Sequence, residues 1–356
     1  MNCAQEKPIR VLVVEDSRVV SEFITRVLSA DPDLEVVGTA ADGREALEAV
    51  RRTKPHVVTM DIHMPHVDGF EATRNIMETC PTPIVIVTAS VTMDKISTNF
   101  HALEAGALAV VAVPQGIGHI HHADSVKQLV DTVKLMSEVK VVRRWLRSKN
   151  ATAPLDTLTQ KLPAPPPLPI EVVAIGASTG GPLALQTILA ALPGDLPVPV
   201  LIVQHMTPGF TQGFVEWLSR SSGFPVQVAK DGESLLPGRA YVAPDNFQMG
   251  VSTGHRIFLS GDARENGMRP CVSFLFRSVK AVFGQQAIGV LLTGMGVDGV
   301  DELGRLKKMG AITLVQDKES SVVHGMPGQA IQDGAATHIL PPPAIARTIK
   351  TIVSRP

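Results

Sequence analysis

Short runs of branched aliphatic residues recur along this chain. Each is bounded by polar or glycine residues and separated from the next by an amphipathic stretch. In the first half they read IRVLVV, LEVVGTA, VVTM, IVIVTA and ALAVVAV. Runs this short, apolar at consecutive positions, are strands covered on both faces, and the amphipathic stretches between them supply the covering helices. The pattern predicts an α/β fold with a five-stranded parallel, doubly wound sheet. The second half repeats it with EVVAIGA, PVLIVQ, RAYVAP, AIGVLLTG and AITLVQD, among helical stretches such as TQGFVEWLSRS and DELGRLKKM. Residues 226–260 differ: they are strand-like with turns and predict antiparallel hairpins at an edge of a second, mainly parallel sheet.

Between the two blocks, KNATAPLDTLTQKLPAPPPLPI (149–170) loses periodicity and repeats proline, as a semi-stiff extended spacer does. A length of 356 residues suits two domains. The expected division is 8–140, a linker at 141–169, and 170–356. With 33 basic and 34 acidic residues the chain has no charge excess to draw it to nucleic acid or a membrane surface. Cys3, Cys80 and Cys271 are scattered and odd in number, as reduced thiols are. MNCAQEKPIR lacks the apolar core of a signal peptide, and no run of about 18 apolar residues occurs. The expectation is a soluble, cytoplasmic protein with no membrane insertion.

In open α/β sheets, sites form at the carboxyl ends of strands. In the first block those ends collect Glu15 and Asp16 after VLVV, Asp61 after VVTM, and Thr88 after IVIV. Three carboxylates at one edge repel unless a cation lies among them, and hard oxygen ligands suit Mg²⁺. A carboxylate beside such a cation can accept a phosphoryl group, with Thr88 donating a hydrogen bond to it. The series VLVVEDSRVV, ADG, MDIHMPHVDGFEA and IVTAS resembles the receiver domain of two-component response regulators over residues 8–140. The resemblance implies phosphorylation of Asp61, Glu15 and Asp16 as metal ligands, and Thr88 as the switch hydroxyl. It fails at GALAVVAVPQG, where Val113 stands in place of the usual lysine and Val110 in place of the usual aromatic residue. Valine cannot hydrogen-bond a phosphate, so coupling of phosphorylation to activity is left open. His119, His121 and His122 crowd one segment, which reads as a solvated loop rather than a metal site.

In the second block, IGASTGGP (175–182) carries G-x-S-x-G between a strand and a helix. It lacks both the P-loop pattern and G-x-G-x-x-G, which weakens a nucleotide-binding reading. For Ser178 to be a nucleophile it needs a base. PVLIVQ delivers His205 at its carboxyl end, and AIGVLLTG leads through GMGVDG to Asp298. The residues alone leave His324 and Asp317, around the AITLVQD strand, as competitors, while His255 reads as a turn histidine.

IGASTGGP, VQHMTPGFT, YVAPD, RPCVSFLFRS, LLTGMGVDG and QDKESSVVHGMPG together resemble the protein-glutamate methylesterases of bacterial chemotaxis, the CheB family, over about 170–350. The resemblance implies a Ser178, His205, Asp298 triad, an oxyanion role at Met295, and support of the histidine by Thr179. It also implies hydrolysis of glutamate γ-methyl esters on chemoreceptors, deamidation of receptor glutamines, and a chemotaxis histidine kinase as phosphodonor. No metal is expected in the esterase step. Two rivals stand beside it. One is a non-catalytic phosphate- or nucleotide-binding regulator; the other is a DNA-acting response regulator, whose basic recognition helix the second block does not show.

Overall fold

A computed structural model describes residues 7–89, 100–139, 141, 168–265 and 267–354. The chain divides between Asp156 and Thr157 into two compact units. Most of the proline-rich spacer, and Cys3, lie outside the described residues.

The N-terminal unit alternates β1 (Ile9–Val14), α1 (Arg18–Ser29), β2 (Leu34–Ala40), α2 (Gly43–Thr53), β3 (Val57–Met60), α3 (Gly69–Thr79), β4 (Ile84–Thr88), α4 (His101–Ala105), β5 (Ala109–Ala112) and α5 (His122–Ser137). The strands form one sheet in the order β2-β1-β3-β4-β5, parallel throughout. Every residue of β3 and β4 is buried, which explains why these runs are continuously apolar. Helix starts follow local chemistry. Asp42 accepts from the amides of Arg44 and Glu45, and Asp68 from that of Glu71, each satisfying donors that a first helical turn leaves open.

The C-terminal unit contains β6 (Val172–Ala177), α6 (Gly181–Ala191), β7 (Val200–Gln204), α7 (Thr211–Ser222), β8 (Val226–Val228), β9 (Ala240–Val242), β10 (Gln248–Val251), β11 (Ile257–Ser260), α8 (Val272–Phe283), β12 (Ala287–Leu291), α9 (Val300–Lys308), β13 (Ile312–Gln316), α10 (Met326–Gln332), β14 (His338–Leu340) and α11 (Pro342–Val353). Its main sheet has seven parallel strands in the order β14-β13-β12-β6-β7-β9-β8. Antiparallel pairing is confined among the named strands to β10 and β11, which form a separate two-stranded sheet. The hairpins expected over 226–260 are therefore corrected in part. β8 and β9 run parallel and complete the main sheet; residues 229–239 approach the dozen or so that a parallel connection requires.

β6 is central, with every residue buried. Helix α8 lies so close to it that a Cβ on Gly176 would come within 2.3 Å of Cγ1 and 2.8 Å of Cγ2 of Val272. Glycine at 176 thus sets how near the first turn of α8 approaches the strand. A methyl group there overpacks the contact, which ordinarily costs about 1–3 kcal/mol. We expect Gly176→Ala to lower the unfolding free energy of the C-terminal unit, read from a denaturant titration, by an amount in that range. Val272→Ala, which removes both obstructing methyls, should recover part of the loss when combined with it; additive losses would show that the contact is not the cause.

Candidate active site and acidic pocket

In the C-terminal unit the ladder pairs Ala177 of β6 with Gln204 of β7, and Gly176 with Leu291 of β12. Bonds continue past the strand ends: His205 N donates to Ala177 O at 2.9 Å, and Ser178 N to Thr293 O at 3.0 Å. Ser178, His205 and the loop after β12 therefore leave the sheet side by side. The turn after Ser178 needs glycine at 180, where φ is +78° and a Cβ would lie 2.6 Å from the Val322 Cβ. The side-chain amide of Gln204 donates to the carbonyls of both Ser178 and His205 at 2.8 Å, tying the two segments together.

His205 and Asp298 are in direct contact. Nε2 of the ring lies 2.9 Å from Oδ2 of the carboxylate, with the side chains only 8 % and 5 % exposed. Asp298 also accepts from Val272 N at 2.7 Å, Ser273 N at 3.0 Å, Ser273 Oγ at 2.6 Å and Cys271 Sγ at 3.0 Å. Burial opposes its ionisation, but the bond and charge of His205, then the bonds from Ser273 and Cys271, outweigh it and hold the carboxyl well below the usual range. An ionised carboxylate only accepts, so Nε2 carries a proton, and in the neutral ring Nδ1 then presents a lone pair. That Nδ1 is buried and has no hydrogen-bond partner among the described residues. The Ser178 hydroxyl makes no hydrogen bond to the ring in this structure, so one of the two links of a Ser-His-Asp row is formed.

The loop after β12 is fastened to the segment after β13. Thr293 Oγ1 donates to the carbonyls of Thr179 and Val323 and accepts from Val323 N, and Gly294 O accepts from Gly325 N and Met326 N. Among the described residues, the amides of Thr179 and Met295 donate to no protein acceptor. Met295 is 51 % exposed. Neither sequence competitor takes part in a histidine–carboxylate hydrogen bond among the described residues. Asp317 accepts from the amide and hydroxyl of Ser320, and His324 Nδ1 faces Ser321 Oγ at 3.4 Å. His255 sits in a turn at φ +53°, its ring tilted against that of Phe283.

In the N-terminal unit, Asp61 N donates to Val14 O, which sets Glu15, Asp16 and Asp61 together. One ligand oxygen from each lies within 4.8 Å of the others. Burial, followed by the charge of Asp61, pushes Glu15 up to about 7, and burial also raises Asp61. This is the signature of a carboxylate trio short of positive charge, and its all-oxygen donor set fits a hard divalent cation. Thr88 is buried at the end of β4, its carbonyl accepting from Val113 N at 3.0 Å. His119 and His121 are exposed, and these histidines form no metal-binding group among the described residues.

Residues 11–124 match the response regulator receiver domain, and residues 173–349 match the CheB methylesterase. Over 97 % of its length the chain is 54 % identical to a protein-glutamate methylesterase/protein-glutamine glutaminase of Nitrosospira multiformis, covering 97 % of that protein. It is 53 % identical to one from Geobacter metallireducens, covering 97 % of this chain and 99 % of that one. The crystal structure of the Thermotoga maritima CheB methylesterase catalytic domain matches 52 % of this chain and all of that chain, at 36 % identity and a TM-score of 0.51. These likenesses support a catalytic protein rather than the non-catalytic anion-binding regulator. No helix among the described residues is long and apolar enough to cross a membrane. A receiver domain followed by a methylesterase domain, matched end to end, places this chain in the CheB family.

Proposed function

We propose that this methylesterase hydrolyses glutamate γ-methyl esters on chemoreceptors, and deamidates receptor glutamines, with Ser178 as nucleophile, His205 as base and Asp298 as the group that orients the ring. The bond from His205 Nε2 to Asp298 carries the reading, because it fixes the tautomer that leaves Nδ1 free to take a proton. For the base step Ser178 Oγ must reach Nδ1, whose lone pair has no other partner among the described residues. Oγ then attacks the ester carbonyl as Nδ1 accepts its proton, and Asp298 stabilises the imidazolium. The unpaired amides of Thr179 and Met295 are suited to receive the tetrahedral oxyanion, where loss of one donor ordinarily costs about 3 kcal/mol. As the tetrahedral intermediate collapses, the imidazolium gives the proton to the departing methoxide oxygen, or to the amide nitrogen of glutamine, so that methanol or ammonia leaves. Water, deprotonated by the same nitrogen, cleaves the acyl-enzyme to a free glutamate.

In the receiver, Asp61 is the proposed phosphoryl acceptor, supplied by a chemotaxis histidine kinase, with Thr88 as the hydroxyl that responds. Glu15, Asp16 and Asp61 would hold Mg²⁺, which when bound supplies charge neutralisation for the carboxylates and the phosphoryl group. Val113 offers no ammonium at the end of β5, so a phosphorylated Asp61 lacks the partner that receivers usually provide there.

Methanol release from methylated receptor membranes should fall by about 10⁴-fold or more in Ser178→Ala; a rate within tenfold of wild type would remove Ser178 from the mechanism. Asp61→Ala should abolish labelling by a small phosphodonor, and label that persists would place the acceptor elsewhere. Glu15 must lose its proton to bind a cation. Mg²⁺ affinity of the full-length chain should therefore rise about tenfold per pH unit below pH 7 and level off above it, as read by titration calorimetry. A flat profile from pH 5.5 to 8 would contradict Glu15 as a ligand.

A further inference from the structure

Asp298 is held by more donors than a triad aspartate needs. Oδ1 accepts from Cys271 Sγ, Ser273 N and Ser273 Oγ, while Oδ2 accepts from Val272 N and the His205 ring. A carboxylate has about four lone-pair sites, so this one is saturated. The distribution is uneven in a useful way: three donors pin Oδ1, and only Oδ2 faces the imidazole. Ser273 Oγ has a second bond, accepting from Gly299 N at 2.9 Å, so one hydroxyl fixes both the side chain of residue 298 and the backbone that follows it. Cys271 is fully buried, and its own amide donates to Oε1 of the buried Gln248, in the β10–β11 hairpin, at 2.8 Å. Burial, followed by the neighbouring charge of Asp298, pushes the thiol up to about 12, so the sulfur is a protonated donor and not a nucleophile.

We infer that Cys271 and Ser273 are positioning residues of the esterase reaction, acting through Asp298 by clamping Oδ1 so that Oδ2 stays on His205 Nε2. The inference rests on Asp298 being the orienting acid of the triad. Without the two side-chain donors only the amides of Val272 and Ser273 hold the carboxylate, and the bond that selects the tautomer with Nδ1 unprotonated is less firmly placed. The β10–β11 hairpin then has a part in the site as the anchor of Cys271.

The test is kcat and KM for methanol release by the full-length enzyme, on variants whose thermal unfolding shows them folded. Hydrogen bonds to charged groups are strong enough that Ser273→Ala and Cys271→Ala should each lower kcat between about tenfold and a hundredfold. KM for receptor should change by less than about twofold, since neither side chain is proposed to touch substrate. Ser273→Thr and Cys271→Ser keep a hydroxyl donor and should recover kcat to within about fivefold of wild type. In an Asp298→Asn background, Ser273→Ala should cause no further loss, because the carboxylate through which the clamp acts on the ring is already gone. Unchanged kcat in both alanine variants, equal impairment of the threonine and serine variants, or an additive loss on Asp298→Asn would each overturn the inference. If Asp298→Asn alone keeps wild-type kcat, the triad reading itself fails, an outcome distinct from the other three.

Discussion

A carboxylate taken out of water must be met by donors or give up its charge, and the C-terminal unit is arranged around one that is met. Desolvation alone would push Asp298 towards neutrality. Its five hydrogen bonds come from the start of α8 and from His205, so the charge fastens a helix terminus, the loop after β12 and the ring to one another. The positive end of the α8 dipole points the same way, since Val272 and Ser273 supply first-turn amides. Close approach of α8 to β6 at Gly176 is what puts those donors within reach. Backbone packing and site electrostatics are one constraint here.

The N-terminal unit treats carboxylates in the opposite way. Glu15, Asp16 and Asp61 share an edge with few protein donors, chiefly Ser17 N to Glu15 and His63 N to Asp61. Glu15 and Asp61 rise where Asp298 falls. The difference fits the roles proposed for the two sites. An orienting acid works best with its charge permanently satisfied. A phosphoryl acceptor must keep its oxygens available, and so has to leave part of its charge to a cation from solution. Similar sheets, with similar strand-end geometry, carry both solutions.

Much of this was legible before any coordinates, because parallel sheets put functional side chains at strand carboxyl ends. That rule gathers Glu15, Asp16, Asp61 and Thr88 in one domain, and Ser178, His205 and Asp298 in the other. It could not decide between His205 and His324, or between Asp298 and Asp317, since all lie after strands of the same sheet. Register decides the contact: β7 is the immediate neighbour of β6, whereas β13 is separated from it by β12. Cys271 and Ser273 escaped because they begin a helix packed on the face of the sheet, a position no strand-end rule inspects. β8 and β14, three residues each, are too short to show a period. The turn-rich stretch between β8 and β9 reads as a hairpin when only local signals are weighed.

The two reactions of the family make unequal demands on this geometry. Methoxide leaves an acyl centre more readily than an amide anion does, and nitrogen in an amide must be protonated before the bond to carbon breaks readily. In the proposed mechanism the imidazolium at His205 is therefore a more critical acid for glutamine than for the methyl ester. A carboxylate that already accepts from Cys271, Ser273 and Val272 has little freedom to turn away from the ring. In the proposed mechanism one arrangement of donors would then serve both the base step and the acid step, since each needs the imidazole held in place.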